Sequence, residues 1–280
     1  MRRHLFYILV VALFLLLACR GNKTDKPVEV PDTVKEEVPV DTVQDTVATV
    51  DEPAPPAAAD GVFGDFMFNF MRNRRFQRER VRFPLNITSG GTTRTVQSAA
   101  EWKHDRIFAH DEVYALAFND AKSMRKSVMA KQDSVVISLL NFQDASVRNY
   151  SFHKERGAWM LINIETHGLS EEAGSDFLDF ISQFSRSAEY RISHVAPSFD
   201  LVVLDPDTYE QVKGNADASQ WDDYAPELPT DKLALINYGG LSSTNSERIV
   251  QLTSMEEGMS SLITFRKQGG KWKAVKLEND

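Results

Sequence analysis

The residues able to bind or catalyse are few, and their spacing narrows what they can do. His104 and His110 stand among Glu101, Asp105, Asp111 and Glu112, and imidazole with carboxylate is a ligand set for a divalent metal. A separation of six residues, however, suits neither one helix face nor the i, i+4 pair of a zinc helix. These side chains read as exposed loop residues, and no metal and no cofactor is expected. His153, His167 and His194 are isolated in the sequence. None has a nucleophile and an acid beside it, so no catalytic residue is assigned, although a triad can be assembled from distant positions. Asp205-Pro206-Asp207, with Asp217, Asp222, Asp223 and Glu227, reads as a solvated acidic loop. It lacks the glycine and terminal glutamate of a helix-loop-helix calcium site.

Arg72, Arg74, Arg75, Arg78, Arg80 and Arg82 form the densest basic cluster. Spread over a helix end running into a strand, they would be divided among faces as a solvated, salt-bridged surface. The sharper reading gives Arg74, Arg75 and Arg78 contact with an anionic partner, because guanidinium pairs bidentately with carboxylate and phosphate. Gly90-Gly91 and Gly239-Gly240 lie outside any phosphate-loop pattern and read as turns.

The one cysteine, Cys19, closes an unbroken apolar run over residues 5–18 that follows Arg2 and Arg3. A single cysteine excludes an intramolecular disulfide and a thiolate metal site. Charged residues, a short apolar core and a small residue at the cut make residues 1–18 a secretory signal peptide, too short to span a bilayer, which needs about 20 residues. Leu16-Leu17-Ala18-Cys19 is similar to the lipobox of bacterial lipoproteins. That resemblance implies lipidation at Cys19, with more than one acyl chain, as stable anchoring requires at about 0.8 kcal/mol per buried methylene.

Formal charge is −8, unevenly placed. Residues 20–60 hold ten acids against four bases and no aromatic residue, and carry six of the eleven prolines. Such a stretch cannot bury enough apolar surface to offset its chain entropy, so residues 19–61 read as a lipid anchor and disordered tether, with a coil reach on the order of 35 Å. Asp-Thr-Val occurs in it at residues 32–34, 41–43 and 45–47. Each triplet resembles the acceptor motif for protein O-glycosylation in Bacteroidota, which implies Thr33, Thr42 and Thr46 as candidate glycosylation sites. Residues 61–280 carry 26 bases against 30 acids, a balance that excludes general nucleic-acid binding.

The remainder echoes itself. Asp65 precedes Arg80 by fifteen residues, as Asp176 precedes Arg191; Ala99-Ala100-Glu101-Trp102 is echoed by Ala218-Ser219-Gln220-Trp221, and residues 113–116 by 233–236. Phe152 precedes Trp159 by seven residues and Phe265 precedes Trp272 by seven. Two tandem repeats, 62–168 and 169–280, are expected. In each, an aromatic stripe at i, i+3, i+4, i+7 predicts an amphipathic helix facing a sheet: Phe63, Phe66, Met67, Phe70, then Phe177, Phe180, Ile181, Phe184. Strands are predicted at 80–87, 113–118, 134–141, 147–153 and 158–164, and at 190–204, 233–238, 248–253, 260–266 and 271–277. The last pair in each half forms an antiparallel hairpin. The fold class is α+β, a helix laid on a curled antiparallel sheet.

A helix, a short Trp-containing element and a meander ending in a Gly-turn-Trp hairpin is similar to the nuclear transport factor 2-like, or cystatin-like, fold. With the lipobox and acidic linker, the chain resembles Bacteroidota lipoproteins carrying a domain of unknown function. The resemblance implies no catalytic signature, and each half is poor in the extra N-terminal helices that close the cone, which argues against a deep pocket. The function expected is a membrane-tethered, non-catalytic binding or interaction module that meets another envelope protein, a glycan or a small ligand. The alternative is a small-molecule enzyme with its pocket inside one cone. Filling of the concavity by Phe and Trp favours the first; convergence of His and Asp within apolar walls favours the second. Without acids directly after Cys19, the outer membrane's periplasmic face is the expected location, with the cell surface as the alternative.

Overall fold

Two aromatic ladders, one per half, set the architecture. In the computed structural model, which describes residues 60–107, 113–129, 132–238, 240–254 and 260–279, all these residues belong to the unit Asp51–Asp280. Cys19, the candidate glycosylation sites Thr33, Thr42 and Thr46, and His110, Asp111 and Glu112 lie outside the described residues. Among the described residues no helix is long and apolar enough to cross a membrane.

Helix α1 (Phe63–Arg72) buries Phe63, Phe66, Met67 and Phe70, the predicted stripe. It stops at Asn73, whose extended backbone breaks the helix and whose Oδ1 accepts from Phe76 N at 2.8 Å, capping α2 (Arg74–Glu79). Arg74 and Arg75 therefore open a helix instead of closing one, the unfavourable end of the dipole for a cation. Helix α3 (Ala121–Met129) was not expected. Its start is nonetheless written in Asp120 and Ser123, which exchange backbone-to-side-chain hydrogen bonds at 2.7 and 2.9 Å. Helix α4 (Ser175–Arg186) buries the second stripe, Phe177, Phe180, Ile181 and Phe184. Ser187 then caps α5 (Ala188–Ser193), accepting from Tyr190 N at 3.1 Å. The short α6 (Trp221–Tyr224) buries Trp221.

The strands are β1 (Leu85–Ser89), β2 (Thr92–Val96), β3 (Val113–Phe118), β4 (Ser134–Asn141), β5 (Ser146–Glu155), β6 (Ala158–Gly168), β7 (Val195–Leu204), β8 (Gln211–Asp217), β9 (Lys232–Asn237), β10 (Glu247–Ser254), β11 (Ser260–Gln268) and β12 (Lys271–Asn279). The class is α+β. The sheet is one continuous twelve-stranded surface, ordered β2-β1-β6-β5-β4-β9-β3-β10-β11-β12-β7-β8. It is mixed, since β1/β6, β7/β12 and β3/β9 pair in parallel. The hairpins predicted at the Trp strands turn on Arg156-Gly157 and Gly269-Gly270, all four with positive φ, as a two-residue type I′ connection demands.

The sheet runs without a break across residue 168. β3 does not pair with its sequence neighbours but with β10, and β9 pairs with β4. Consequently Ala115 and Ala117 enter the core built under α4, while Ala234 and Ile236 enter the one built under α1. By this criterion Ala115 corresponds to Ala234, one residue away from the echo of 113–116 in 233–236. The Asp65/Asp176 echo is likewise displaced, by nearly a helical turn, because the rings superpose Phe63 on Phe177. Phe63 meets Trp159 at 5.0 Å and 74°, and Phe177 meets Trp272 at 5.1 Å and 71°. Phe70 meets Phe152 at 5.3 Å and 87°, and Phe184 meets Phe265 at 5.4 Å and 90°. Edge-to-face pairs of this kind contribute about 0.5–1.5 kcal/mol beyond their burial. A register shift falls between Ser151 and Phe152 and again between Thr264 and Phe265; such irregularities bend a strand.

Part of the acidic segment 205–227 is a strand, not a loop. Asp205 Oδ1 accepts from the amides of Asp207 and Thr208, forming the turn, and β8 follows as the sheet's edge. In β8 only Ala216 is buried, and in β2 only Val96. An edge strand with one buried residue has no apolar alternation for a sequence reading to detect.

Candidate functional site

The concavities beneath α1 and α4 are filled by aromatic side chains. Phe66, Phe70, Phe152 and Trp159 occupy the first, Phe177, Phe184, Phe265 and Trp272 the second, all buried. The end of the first nearest α2 is closed by buried polar contacts. Gln77, fully buried, accepts from Trp102 Nε1 at 2.9 Å and Asp105 N at 2.8 Å, and donates to the carbonyls of Phe70 at 3.0 Å and Asp105 at 2.8 Å. Beside it the Tyr150 hydroxyl donates to Asp105 Oδ2 at 3.1 Å and accepts from Arg148 Nε at 2.9 Å. Burial, then the Asp105 charge, pushes that phenol well up.

Open space lies instead beside the first core. A cleft of about 1010 Å³ is walled by Phe63, Leu116, Phe118, Trp159 and Tyr238, with Gln132, Asp133, His153, Lys154 and Gln251 as its polar residues. A hollow of about 280 Å³, lined also by Asn119 and Lys126, shares Phe118, Ser127, Gln132 and Tyr238 with it. Each wall has a structural origin. β3 places Leu116 and Phe118 on this face because it is paired into the far half of the sheet, and β10 follows with Gln251. Tyr238 stands just beyond β9, its phenol pushed up to about 12 by burial and the neighbouring Tyr114. Tyr114 is itself raised by burial, against a hydrogen bond with Thr253.

The corresponding space at the second core is occupied. Gly174, at the start of α4 where Asp60 stands before α1, has so little room that an added Cβ would lie 3.0 Å from Leu241 Cβ. Buried Arg248 donates to the carbonyl of Glu247 at 2.8 Å and to that of Ser242, and lies 5.4 Å from the Trp272 ring centre. Burial lowers its pKa, against the pull of Asp176 and Asp120. Leu241 and Arg248 together fill what the first core leaves open.

His153 and Asp133 both line the cleft, β5 and β4 placing His153 opposite Ser134, but both are exposed at its rim. His167 pairs with Glu172 Oε2 at 2.8 Å, and His194 stacks on Tyr190 at 3.8 Å. Neither lines the cleft. Among the described residues no group of three or more His, Cys, Asp or Glu is placed to hold a metal. Of the arginines, Arg72 lies over Phe68, Arg75 pairs with Glu79, Arg80 with Asp60 and Arg82 with Glu155. Arg74 and Arg78 stay exposed. The cleft itself was not expected. Its walls come from α1, β3, β6 and the residue just beyond β9, and only the shared aromatic character of Phe63, Phe118, Trp159 and Tyr238 hinted at it.

A helix on a curled mixed sheet, with its concavity packed by aromatic rings, defines this chain as NTF2-like in fold. A crystal structure of an NTF2-like protein from Bacteroides fragilis matches it at a TM-score of 0.71 and 30% identity, over 81% of this chain and 99% of that one. The chain belongs to the family described as domain of unknown function DUF4348, whose model matches residues 41–279. No curated protein matches it.

Proposed function

We propose that this chain is a membrane-tethered envelope lipoprotein whose NTF2-like part is a non-catalytic binding module, with the cleft beside α1 as its ligand-facing surface. The observation that carries this reading is where the aromatic side chains go. They fill both concavities, so the cone that would house a catalytic pocket is core, while an open cleft with apolar walls and a polar rim remains at its side. His153 and Asp133 sit on the exposed rim, where water competes for every charge, instead of converging within apolar walls as general acid–base work favours.

The tether reading rests on Cys19 at the end of the apolar run, and the origin of the relative in Bacteroides fragilis fits it. We further propose that the two halves are tandem copies of one unit; the near-identical ring geometry around Trp159 and Trp272 supports this. Exposed Arg74 and Arg78, flanking the Arg75–Glu79 pair, suit contact with an anionic partner. Glycosylation at Thr33, Thr42 and Thr46 and a periplasm-facing outer-membrane location complete the proposal.

Affinity capture from the native envelope tests the module: specific retention of a protein, glycan or small ligand that is lost when Phe118 and Tyr238 are replaced by Asp and Ser supports it, and a retained profile unaffected by those changes opposes it. Reversing Arg74, Arg75 and Arg78 to Glu tests the basic face in the same assay. Protease shaving of intact cells contradicts the periplasmic orientation if the chain is cut. An intact mass equal to that of the lipidated polypeptide alone removes the glycosylation.

A further inference from the structure

In the second core, Trp272 Nε1 donates to Asp176 Oδ2 at 3.1 Å, and Lys267 Nζ, 4.9 Å from the same ring centre, pairs with that oxygen at 2.7 Å. Indole N–H, ammonium and the start of α4 thus hold one carboxylate. The first core repeats the donors without the acid. Trp159 keeps the ring geometry of Trp272, meeting Phe66 at 6.4 Å and 35° where Trp272 meets Phe180 at 6.5 Å and 35°. Its Nε1 therefore aims at the start of α1 as that of Trp272 aims at the start of α4. Lys154 Nζ lies 5.4 Å from the Trp159 ring centre.

The residue at the place of Asp176 is Val62, which is 63% exposed and offers no acceptor. Trp159, only 2% exposed, has no partner for its Nε1 among the described residues, and a buried donor without an acceptor costs about 1–3 kcal/mol. Asp60 does not serve: its carboxylate accepts from Arg80 at 2.8 Å and from the Trp159 backbone amide at 2.9 Å, and not from the indole. Among the described residues Lys154 Nζ donates to the Asp60 carbonyl, at 2.7 Å. Val62 gives α1 no side-chain cap, so the acceptor that a capping side chain would offer its first amides is absent there. Val62, Lys154 and Trp159 belong to the cleft of about 1010 Å³.

We propose that this is a carboxylate subsite, at which an organic acid with an apolar body sets its carboxylate where Asp176 sits in the other half. Trp159 Nε1 and Lys154 Nζ bind the acid, and the body lies against Phe118, Leu116 and Tyr238. The proposal rests on the cleft being the binding surface, and adds the chemistry of what it takes.

The probes are 1-naphthaleneacetate and its uncharged amide, titrated into the full chain carrying ¹⁵N-tryptophan, whose four tryptophans give separately assignable indole signals. The acid is expected to move the Trp159 indole proton downfield with saturation, and the amide to bind at least tenfold more weakly. Val62→Asp is expected to shift that signal without any probe and to abolish acid binding, because it supplies the missing carboxylate from within. Lys154→Gln is expected to weaken the acid at least tenfold and leave the amide unchanged. Equal binding of acid and amide in the cleft would overturn the subsite while leaving the cleft as a binding surface. A Trp159 signal unmoved by the acid, or acid binding unchanged in Val62→Asp, would overturn it as well.

Discussion

Tyr114 pairs with Ala234 in a parallel ladder, and at this seam the two halves of the sheet trade strands. β3 leaves its own half to pair with β10, β9 leaves its own to pair with β4, and each carries two buried residues into the opposite core. A strand lent in each direction ties the stability of one core to that of the other.

Replacing Ile236 with Ala therefore damages the half to which it does not belong in sequence. A buried Ile→Ala change costs about 2–5 kcal/mol. Hydrogen exchange should quicken first in β4, β5 and β6, with β11 and β12 less affected, and thermal unfolding should remain a single transition. Fast exchange confined to β10–β12 would contradict the exchange of strands.

Asp176→Asn should lower stability by about 1 kcal/mol at neutral pH, the modest figure expected for charge-assisted bonds at a site partly open to solvent. Burial alone would raise the Asp176 pKa, but the hydrogen bonds from Lys267 and Trp272 hold it below the usual value. A carboxyl with a depressed folded pKa stabilises above its unfolded value of about 3.9 and loses that contribution as pH falls through the folded value. The difference in Tm between variant and parent should thus shrink on acidification below about pH 4.

Gln77→Leu should destabilise by about 3 kcal/mol or more, because it strands the Trp102 indole, the Asp105 amide and two carbonyls in a dry site, each unmade bond costing about 1–3 kcal/mol. Denaturant unfolding measures this. A loss below about 1 kcal/mol would mean that water reaches the cluster.

At alkaline pH the sign reverses. Burial, with Tyr114 beside it, pushes the Tyr238 phenol up to about 12, above the ordinary value of about 10, so its contribution is complete below the unfolded value and is lost as pH rises from there through the folded one. Phenolate absorbance should show a late step that Tyr238→Phe removes, and the parent's Tm should fall across that interval.

Much of the fold is legible in the residues. The stripes Phe63–Phe66–Phe70 and Phe177–Phe180–Phe184 announce their helices because a helical period brings those positions to one face. Gly157 and Gly269-Gly270 announce hairpins because only certain residues accept a left-handed backbone. β2 and β8 stayed hidden because each buries a single side chain at a sheet edge, and α3 because its signal is a cap and not a stripe.

The sequence by itself determined the signal-like start with its lone Cys19, the charge and proline content of residues 20–60, the α+β class and the two aromatic cores. Each follows from local composition or short-range period. The tertiary structure alone decided which strand each core borrows, since the alternation in β3 and β9 satisfies either partner equally. It alone also decided that Trp159 would lack the acceptor that Trp272 has, because a buried donor's partner depends on what folding brings to one helical turn, Val62 in one half and Asp176 in the other.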